Sequence, residues 1–308
     1  MKPILIAGPT ASGKSALAVA LARHYGGVVV NADSMQVYAV LDVLTARPSA
    51  EDLARAPHRL YGHVHPAQPY SVMTWLADVA GVLEEAAAEG LRPIIVGGTG
   101  LYFKALTEGL SPVPEIPADI RTRWRQAAGA LGAAALHQEL SRRDPVMAAR
   151  LATGDTQRVT RALEVIAATG RSLAEWQQMR GTPLLPASDA ICFSLAPPRA
   201  DVQARCDLRF DLMIEQGALE EVRRLLALGL PVDRPVMRAL GVPSLARHLC
   251  GEADLATAIA SGKQETRAYV KRQQTWANRY MMSWSVVQSI YNCKILPRFT
   301  TLVDDAVN

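Results

Sequence analysis

The chain has 308 residues, of which 49% are hydrophobic and 20% are charged, as in ordinary globular proteins. This length allows one large domain or two moderate ones, and the formal net charge of +4 indicates a mild attraction to polyanions. The four cysteines form no C-x-x-C pair, which argues against a zinc ribbon and a secreted disulfide framework. No apolar stretch approaches the roughly 18 residues of a transmembrane helix, so we expect a cytoplasmic protein without membrane contact.

The first predicted element is a buried strand, residues 3–7, which leads into GPTASGKS at Gly8–Ser15 and then into an Ala/Leu-rich helix. This order fits the phosphate-binding loop G-x-x-x-x-G-K-[ST] in its required context. The glycines let successive N–H groups point into one concavity at a helix N-terminus. Lys14 would reach a terminal phosphate and Ser15 would hold Mg²⁺. The alternative is an ordinary Gly-rich turn; if the motif is functional, it predicts a phosphate chain without indicating which one.

The second strand, near residues 27–30, brings Asp33 to its carboxyl end, where open α/β sheets carry their ligand chemistry. Position alone leaves two interpretations of Asp33 open, a functional acid or an N-cap. A helix over residues 75–89 precedes a third strand at 93–96, which ends in Gly97–Gly100 without an acid. Asp33 is therefore the one strand-end candidate for catalytic work.

From about residue 119 the pattern becomes helical and strongly basic, with ten arginines and six acidic residues over 119–180. Strand character returns at residues 190–195. The fold class predicted is α/β: a P-loop NTPase-like parallel sheet core with an inserted all-helical domain and C-terminal helices. We place the core at residues 1–118 and 188–308 and the helical insertion at 119–187.

Three more helices are predicted, at residues 201–228, 236–249 and 255–284. In the last one, a basic stripe (Lys263, Arg267 and Lys271, with Arg272 beside them) is interleaved with aromatic residues. Such a stripe is either a solvated helix face or a nucleic-acid surface, and the second basic region favours nucleic acid. The sequence beyond residue 285 gives no prediction.

Several separate stretches resemble one family, the tRNA dimethylallyltransferases, also called tRNA isopentenyltransferases. The matching text is GPTASGKS at 8–15, DSMQVY at 33–38, TARPS at 45–49, YSV at 70–72, GGTGLYFKAL at 97–106, GDTQRVTRALEV at 154–165, RCDLRFDLMIEQGALEEV at 205–222 and KQETRAYVKRQQTW at 263–276. The resemblance extends over residues 1 to about 280. DSMQVY and TRAYVKRQQTW are far more specific than the phosphate loop.

The resemblance implies transfer of a dimethylallyl group from dimethylallyl diphosphate to N6 of adenosine 37, in tRNAs that read codons beginning with U. It implies Mg²⁺ as cofactor, tRNA as partner and a monomeric enzyme whose helical domain grips the anticodon stem-loop. Asp33 would be the general base, Thr99 a second active-site contact and Arg205 a clamp on the leaving diphosphate. The implied diphosphate cradle is Gly8, Thr10, Ala11, Ser12, Gly13, Lys14 and Ser15. The implied tRNA contacts are Asp33, Ser34, Met35, Gln36, Thr99, Arg121, Gln157, Arg158, Val159, Thr160 and Arg161, to which the basic stripe adds Lys263, Arg267, Lys271 and Arg272.

The sequence departs from the family pattern after Tyr38, where Ala39, Val40 and Leu44 replace a basic residue and glycines. The C-terminal zinc finger of eukaryotic members is absent, which implies a bacterial-type enzyme. The nearest alternative is an adenylate dimethylallyltransferase acting on free nucleotide, which would not need the two basic regions. A P-loop small-molecule kinase and an RNA-binding protein with a degenerate phosphate loop are weaker alternatives.

Overall fold

A six-stranded parallel sheet organises residues 1–107 and the chain from residue 184 onward. The computed structural model describes residues 1–306. The strands are β1 (Ile4–Ala7), β2 (Gly27–Asn31), β3 (His58–Arg59), β4 (Arg92–Gly97), β5 (Ile191–Leu195) and β6 (Ser285–Val287). Their order across the sheet is β3-β2-β4-β1-β5-β6. The predicted α/β class with a parallel P-loop-like core is confirmed.

Thirteen α-helices are found within residues 1–306, and α5 to α8 belong to the second unit. In chain order they are α1 (Lys14–Tyr25), α2 (Ala50–Arg55), α3 (Val72–Ala88), α4 (Gly100–Glu108), α5 (Ala118–Arg143), α6 (Pro145–Arg150), α7 (Thr156–Thr169), α8 (Leu173–Trp176), α9 (Arg199–Glu215), α10 (Ala218–Ala227), α11 (Val242–Leu249), α12 (Leu255–Tyr280) and α13 (Leu296–Asp305). No helix in this described part of the chain is long and apolar enough to cross a membrane.

Both faces of the sheet are covered by helices, which explains why its central strands are continuous apolar runs. On one face, Ile4 packs in a cluster with Leu17 of α1 and Phe299 of α13. On the other face, Leu5 packs with Trp75 of α3. Because β1, β2 and β4 are adjacent and parallel, their carboxyl ends meet at one edge of the sheet. The phosphate loop, Asp33 and the glycines after β4 are therefore brought together.

The segment after Asp33 is held by a third apolar cluster and by one buried acid. Tyr38 and Leu44 are 1% and 6% exposed and pack in a cluster with residues of α10 and α11. The Glu221 carboxylate, on α10, accepts backbone hydrogen bonds from Asp42 (2.7 Å), Val43 (2.8 Å) and Leu44 (3.0 Å). The departure from the family pattern at Leu44 thus places an apolar side chain in a packed site.

The second unit comprises residues 108–183, whereas the sequence led us to expect an insertion at 119–187. Its core contains Trp124 and Leu140 of α5 with Leu163 of α7. Asp144 is buried and accepts hydrogen bonds from the Met147 N–H (3.1 Å) and the Ser172 hydroxyl, and so caps α6. An all-helical unit built on one apolar cluster is what the 3.6-residue spacing predicts.

The C-terminal helices differ in their bounds from the sequence expectation. The helix predicted over 201–228 is divided at Gly217, whose φ of 98° is left-handed, and the one predicted over 255–284 ends at Tyr280. The helix predicted over 236–249 begins later, at Val242. The uninterpreted tail forms β6 and α13, and the Tyr25 hydroxyl donates to the Thr300 carbonyl (3.1 Å) where α13 meets α1.

Candidate active site

The phosphate loop runs from the end of β1 to the start of α1 in a tightly packed conformation. Ala11 and Gly13 have positive φ values of 61° and 84°. A Cβ on Gly8 would lie 3.0 Å from the Cβ of Leu195 and from Oγ of Ser12. Ser12 is buried, and its hydroxyl has no hydrogen-bond partner within residues 1–306. The first N–H groups of α1 lack partners within the helix, so they are available to an anion.

Two cations lie at this loop. Lys14 Nζ donates to the Pro9 carbonyl (3.2 Å), and Arg209, which projects from α9, contacts the Thr10 hydroxyl. Burial lowers the pKa of Lys14 to about 8; nearby Asp33 opposes this shift and Arg209 adds to it. Burial also lowers the pKa of Arg209, although a guanidinium stays charged. The loop therefore has two partly desolvated positive charges facing one acid.

Asp33 is held by the residue at the end of β2. Asn31, which is fully buried, accepts a hydrogen bond from Asp33 N–H (2.8 Å), and its amide donates to the Asp33 carbonyl (2.9 Å). Asp33 Oδ1 accepts from Met35 N–H (2.9 Å). The next helix, α2, begins only at Ala50, so Asp33 is not an N-cap. Its carboxylate instead closes a turn, and it lies near enough to Lys14 to oppose the lowering of that side chain's pKa by burial. One carboxylate oxygen is thus fixed in place by the backbone.

Thr99 connects the ends of β4 and β2. Its hydroxyl accepts a hydrogen bond from Ser34 N–H (3.0 Å), and its own N–H donates to the Ala32 carbonyl (3.2 Å). A Cβ on Gly97 would lie 2.0 Å from the Ala32 carbonyl oxygen, so this close approach requires glycine. The geometry places Ser34 and Thr99 beside Asp33.

Helix α12 contributes two more groups to this region. The Gln273 amide bridges the Thr10 N–H and the Gly98 carbonyl. Burial and nearby Asp33 raise the pKa of the Tyr269 hydroxyl, and the neighbouring Arg272, Thr99 and Gln273 side chains oppose this rise. Its phenol is therefore neutral at physiological pH. A small cavity next to Gly8 and Gly98 has apolar walls, and its lining includes Phe103, Leu195, Trp276 and Met281.

The structure changes the expectation for two residues of the predicted site. Thr10 has both its N–H and its hydroxyl engaged, by Gln273 and Arg209, so its role is to anchor the loop. Gln36 donates its side-chain N–H groups to the carbonyls of Thr45 (3.0 Å) and Ala46 (2.8 Å), which commits the amide nitrogen to its own loop. The half-buried Met35 packs against the cluster around Tyr38.

Arg205, the predicted diphosphate clamp, is exposed on α9. Arg209, one turn later on the same helix, is the residue whose guanidinium contacts the loop. Sequence reasoning missed Arg209, although the quoted motif contains both arginines at a spacing of four, which places them on one helix face. No local signal in the sequence indicates which of the two arginines points toward the loop.

In the basic stripe of α12, two residues are paired with acids and two are exposed. Lys263 pairs with Asp211 (2.7 Å) and Arg267 with Asp207 (2.6 Å), both acids on α9. The four residues are therefore not one unpaired basic surface, and contact of Lys263 and Arg267 with tRNA stays a prediction. Lys271 and Arg272 are exposed, and the Arg272 guanidinium lies 5.4 Å from the centre of the Tyr269 ring.

In the second unit, the predicted tRNA contacts fall into buried and exposed groups. Val159 is 0% and Thr160 8% exposed, and Val159 belongs to the unit's apolar cluster. The prediction that their side chains bind tRNA is corrected: both pack inward. The side chains that remain accessible or paired with acids at the surface are Arg121, Gln157, Arg158 and Arg161.

A strand–loop–helix phosphate site, with two cations and an acid at the carboxyl edge of a parallel sheet, defines a P-loop protein equipped for group transfer. Two family models match the chain: "IPP transferase" over residues 36–280 and "Isopentenyl transferase" over residues 1–64. The chain therefore belongs to the tRNA dimethylallyltransferase family, as its motifs indicated.

Curated relatives and solved structures agree with this family. The tRNA dimethylallyltransferase of Azorhizobium caulinodans is 52% identical over 286 residues and 92% of each chain. That of Parvibaculum lavamentivorans is 49% identical over 304 residues, covering 99% of this chain and 96% of the relative. The tRNA isopentenylpyrophosphate transferase of Bacillus halodurans superposes with a TM-score of 0.69 at 29% identity, covering 99% of this chain and 98% of that one. A eukaryotic dimethylallyltransferase acting on tRNA gives 0.80 at 25% identity, covering 99% and 77%.

Proposed function

We propose that the protein transfers a dimethylallyl group from dimethylallyl diphosphate to N6 of adenosine 37 in tRNA, and releases diphosphate. The observation that carries this proposal is the meeting of β1, β2 and β4 at one edge of the sheet, which brings the phosphate loop with Lys14 and the strand end with Asp33 together. A general base and a diphosphate cradle are thereby adjacent. A displacement at a carbon attached to diphosphate needs these two groups on either side of the reacting atom.

Asp33 is the general base in this proposal. An exocyclic adenine amine is a weak nucleophile because its lone pair is delocalised into the ring, so a carboxylate must take its proton as the C–N bond forms. The Met35 N–H holds Oδ1, and we assign the proton transfer to Oδ2. Ser34 and Thr99 are the proposed contacts that orient the adenosine. Because the amine cannot be reached in a stacked loop, the nucleoside is extruded at a cost of a few kcal/mol.

The leaving diphosphate is stabilised by the loop and the two cations. As the bond between carbon and oxygen breaks, the electron pair stays on diphosphate, where negative charge accumulates. The N–H groups at the start of α1, Lys14 and Arg209 are placed to meet this charge, and the unpaired Ser12 hydroxyl suits a phosphate ligand. Arg205 is proposed to act from the surface, where its charge attracts the donor.

Mg²⁺ is the proposed cofactor. The Ser15 hydroxyl at the start of α1 and the diphosphate oxygens are hard oxygen ligands of the kind this ion prefers. When bound, Mg²⁺ supplies further neutralisation of the diphosphate charge. This donor set fits a metal that the substrate itself helps to coordinate, since within residues 1–306 no group of three or more His, Cys, Asp or Glu residues could hold one.

For tRNA we propose contacts from exposed basic and polar side chains. These are Arg121, Gln157, Arg158 and Arg161 in the second unit, and Lys271 and Arg272 on α12. Such side chains bind the phosphate backbone and offset the cost of extruding the base. We propose a monomer acting in the cytoplasm, where its tRNA substrate is found.

The proposal is tested with labelled dimethylallyl diphosphate and an anticodon stem-loop carrying A36-A37-A38. We expect label on A37, Mg²⁺-dependent turnover and no label on AMP. Transfer to AMP would support the adenylate alternative instead. ATP-dependent phosphorylation without prenyl transfer would establish a kinase and contradict the proposal.

A further inference from the structure

Gln273 on α12 makes two hydrogen bonds to backbone groups that are far apart in sequence. Its Oε1 accepts from the Thr10 N–H (3.0 Å), and its Nε2 donates to the Gly98 carbonyl (3.0 Å). A primary amide has one acceptor end and one donor end, so it matches these two fixed groups in one orientation. A Cβ on Gly98 would lie 2.2 Å from Nε2, which shows how closely the amide approaches the chain.

The two backbone groups belong to opposite halves of the proposed reaction. Thr10 is in the phosphate loop, which holds the leaving group. Gly98 immediately precedes Thr99, whose hydroxyl accepts from Ser34 N–H beside Asp33. Tyr269, one turn before Gln273 on α12, has the side chains of Thr99 and Gln273 as neighbours. Gln273 thus connects the leaving-group side and the base side beyond the point where the pairing of β1 with β4 ends at Ala7 and Gly97.

The bond to Thr10 also limits which N–H groups bind diphosphate. An N–H that donates to Oε1 of Gln273 is not available to a phosphate oxygen. The cradle therefore begins after Thr10. Gln273 in this way sets the loop conformation in which the N–H groups at the start of α1 converge.

We propose, resting on the transfer reaction above, that Gln273 is a positioning residue that fixes the distance between the diphosphate cradle and the strand end carrying Thr99. That distance decides how far the adenine amine lies from the carbon under attack. When the reacting groups are held about 1 Å from their productive positions, the rate of such a reaction falls on the order of a hundredfold. Loss of Gln273 accordingly lowers kcat and changes KM for dimethylallyl diphosphate little.

Gln273→Glu provides a test that separates this role from simple packing. When protonated, the introduced carboxyl has the shape of the amide and can donate to the Gly98 carbonyl while accepting from Thr10 N–H. When ionised, the carboxylate has no proton to donate, so its oxygen and the Gly98 carbonyl oxygen are two acceptors placed against each other. The loss of a donor to Gly98 disfavours the charged form and the nearby cations favour it, so the pKa of the introduced carboxyl reflects both; the variant is active below that pKa and loses activity as pH rises through it.

Other groups around this position also titrate or carry charge. They are Lys14 on the loop, Asp33 after β2, Arg205, Cys206 and Arg209 on α9, and Tyr269 and Arg272 on α12. They are common to the variant and the wild-type protein, so the ratio of their kcat/KM values at each pH reports the introduced carboxyl together with its effect on neighbouring charges such as Lys14. Gln264→Glu is the matched control, because Gln264 is exposed on the same helix, about 13 Å away along its axis.

We expect the Gln273→Glu ratio to be at most about a tenth at pH 9 and to recover as pH falls through the pKa of the introduced carboxyl, and the Gln264→Glu ratio to stay constant near 1. Gln273→Ala should lower kcat at least about tenfold at every pH, with KM for dimethylallyl diphosphate changed less than about threefold. A ratio for Gln273→Glu that stays near 1 up to pH 9 overturns the proposal, as does wild-type kcat in Gln273→Ala.

A second measurement does not depend on prenyl transfer. In ¹⁵N-threonine-labelled protein, Gln273→Ala should speed hydrogen exchange at the Thr10 amide at least about tenfold, while thermal denaturation confirms a folded chain. Unchanged exchange would show that the bond does not hold the loop. If the wild-type protein transfers no dimethylallyl group but exchange at Thr10 responds to the variant, the proposed function fails and the contact between Gln273 and the loop stands.

Discussion

Substitution of Arg209 tests the assignment of the diphosphate clamp most directly. Arg209 contacts the Thr10 hydroxyl and lies near enough to Lys14 to lower its pKa, whereas Arg205 is exposed. Removing one preorganised donor from a site where negative charge develops costs about a hundredfold to a thousandfold in kcat, or roughly 3–4 kcal/mol. A screened surface charge contributes about 0–1 kcal/mol, which is less than about tenfold. We therefore expect Arg209→Ala to lose much more kcat than Arg205→Ala.

The pH dependence gives an independent readout of the same variant. Lys14 acts as a cation, and its pKa of about 8 means that this charge is present below pH 8 and is lost as pH rises through that value. In the wild-type protein, kcat/KM for dimethylallyl diphosphate, which reports the free enzyme, should fall above about pH 8. Arg209→Ala removes a positive neighbour, so the pKa of Lys14 rises and the fall moves to higher pH.

Single-turnover assays with labelled donor measure the first expectation, and steady-state kinetics from pH 6 to pH 10 measure the second. Arg209→Lys is the matched control: it keeps the charge and loses the planar fork, so its rate should lie between wild type and alanine. A larger loss in Arg205→Ala than in Arg209→Ala would refute the reasoning. So would a fall in kcat/KM that stays at the same pH in Arg209→Ala.

Three further predictions concern the base, the RNA surface and the loop after Asp33. Asp33→Asn keeps the hydrogen bond from Met35 N–H, but the amide cannot take a proton. The single-turnover rate should therefore fall at least about a hundredfold, with tRNA affinity nearly unchanged. A loss of less than about tenfold would exclude Asp33 as the base. Lys271→Ala with Arg272→Ala should weaken tRNA binding and reduce the slope of log K against log salt by about 2, whereas an unchanged slope would mean a solvated helix face. Glu221→Ala leaves three backbone N–H groups, one buried and two half-buried, without their acceptor and should lower the free energy of unfolding by about 2 kcal/mol in urea denaturation. A change below about 0.5 kcal/mol would contradict the structural role.

The features that sequence predicts well here are those encoded by contiguous residues. The phosphate loop and Asp33 follow buried strands, and parallel strands end at one edge, so their proximity follows from the pattern alone. Arg209 and Gln273 have equally visible side chains, but their roles depend on hydrogen bonds to Thr10, about 200 or more positions away. No period or local motif encodes that pairing.

Burial explains the errors at the predicted RNA contacts. A motif transferred from a family identifies positions but does not indicate which way each side chain faces. On α7, Val159, Leu163 and Ala162 lie at helical spacing and form part of the unit's apolar cluster. That periodicity was readable in the sequence and would have assigned Val159 to the core. The ion pairs of Lys263 and Arg267 were not readable, because their acids lie on a different helix.

The tail that gave no prediction contacts the phosphate loop at Ser12 and Gly13. Tyr291 N–H donates to the Ser12 carbonyl (3.1 Å), and a Cβ on Gly13 would lie 3.0 Å from the Cβ of Tyr291. The loop conformation thus depends on Gln273 at Thr10 and on Tyr291 at Ser12. A P-loop motif alone is compatible with many phosphate ligands, since its N–H groups recognise only the anion. In the proposed reaction, the elements that adapt this loop to a diphosphate leaving group are those that contact it from later in the chain: α9 through Arg209, α12 through Gln273, and the tail through Tyr291.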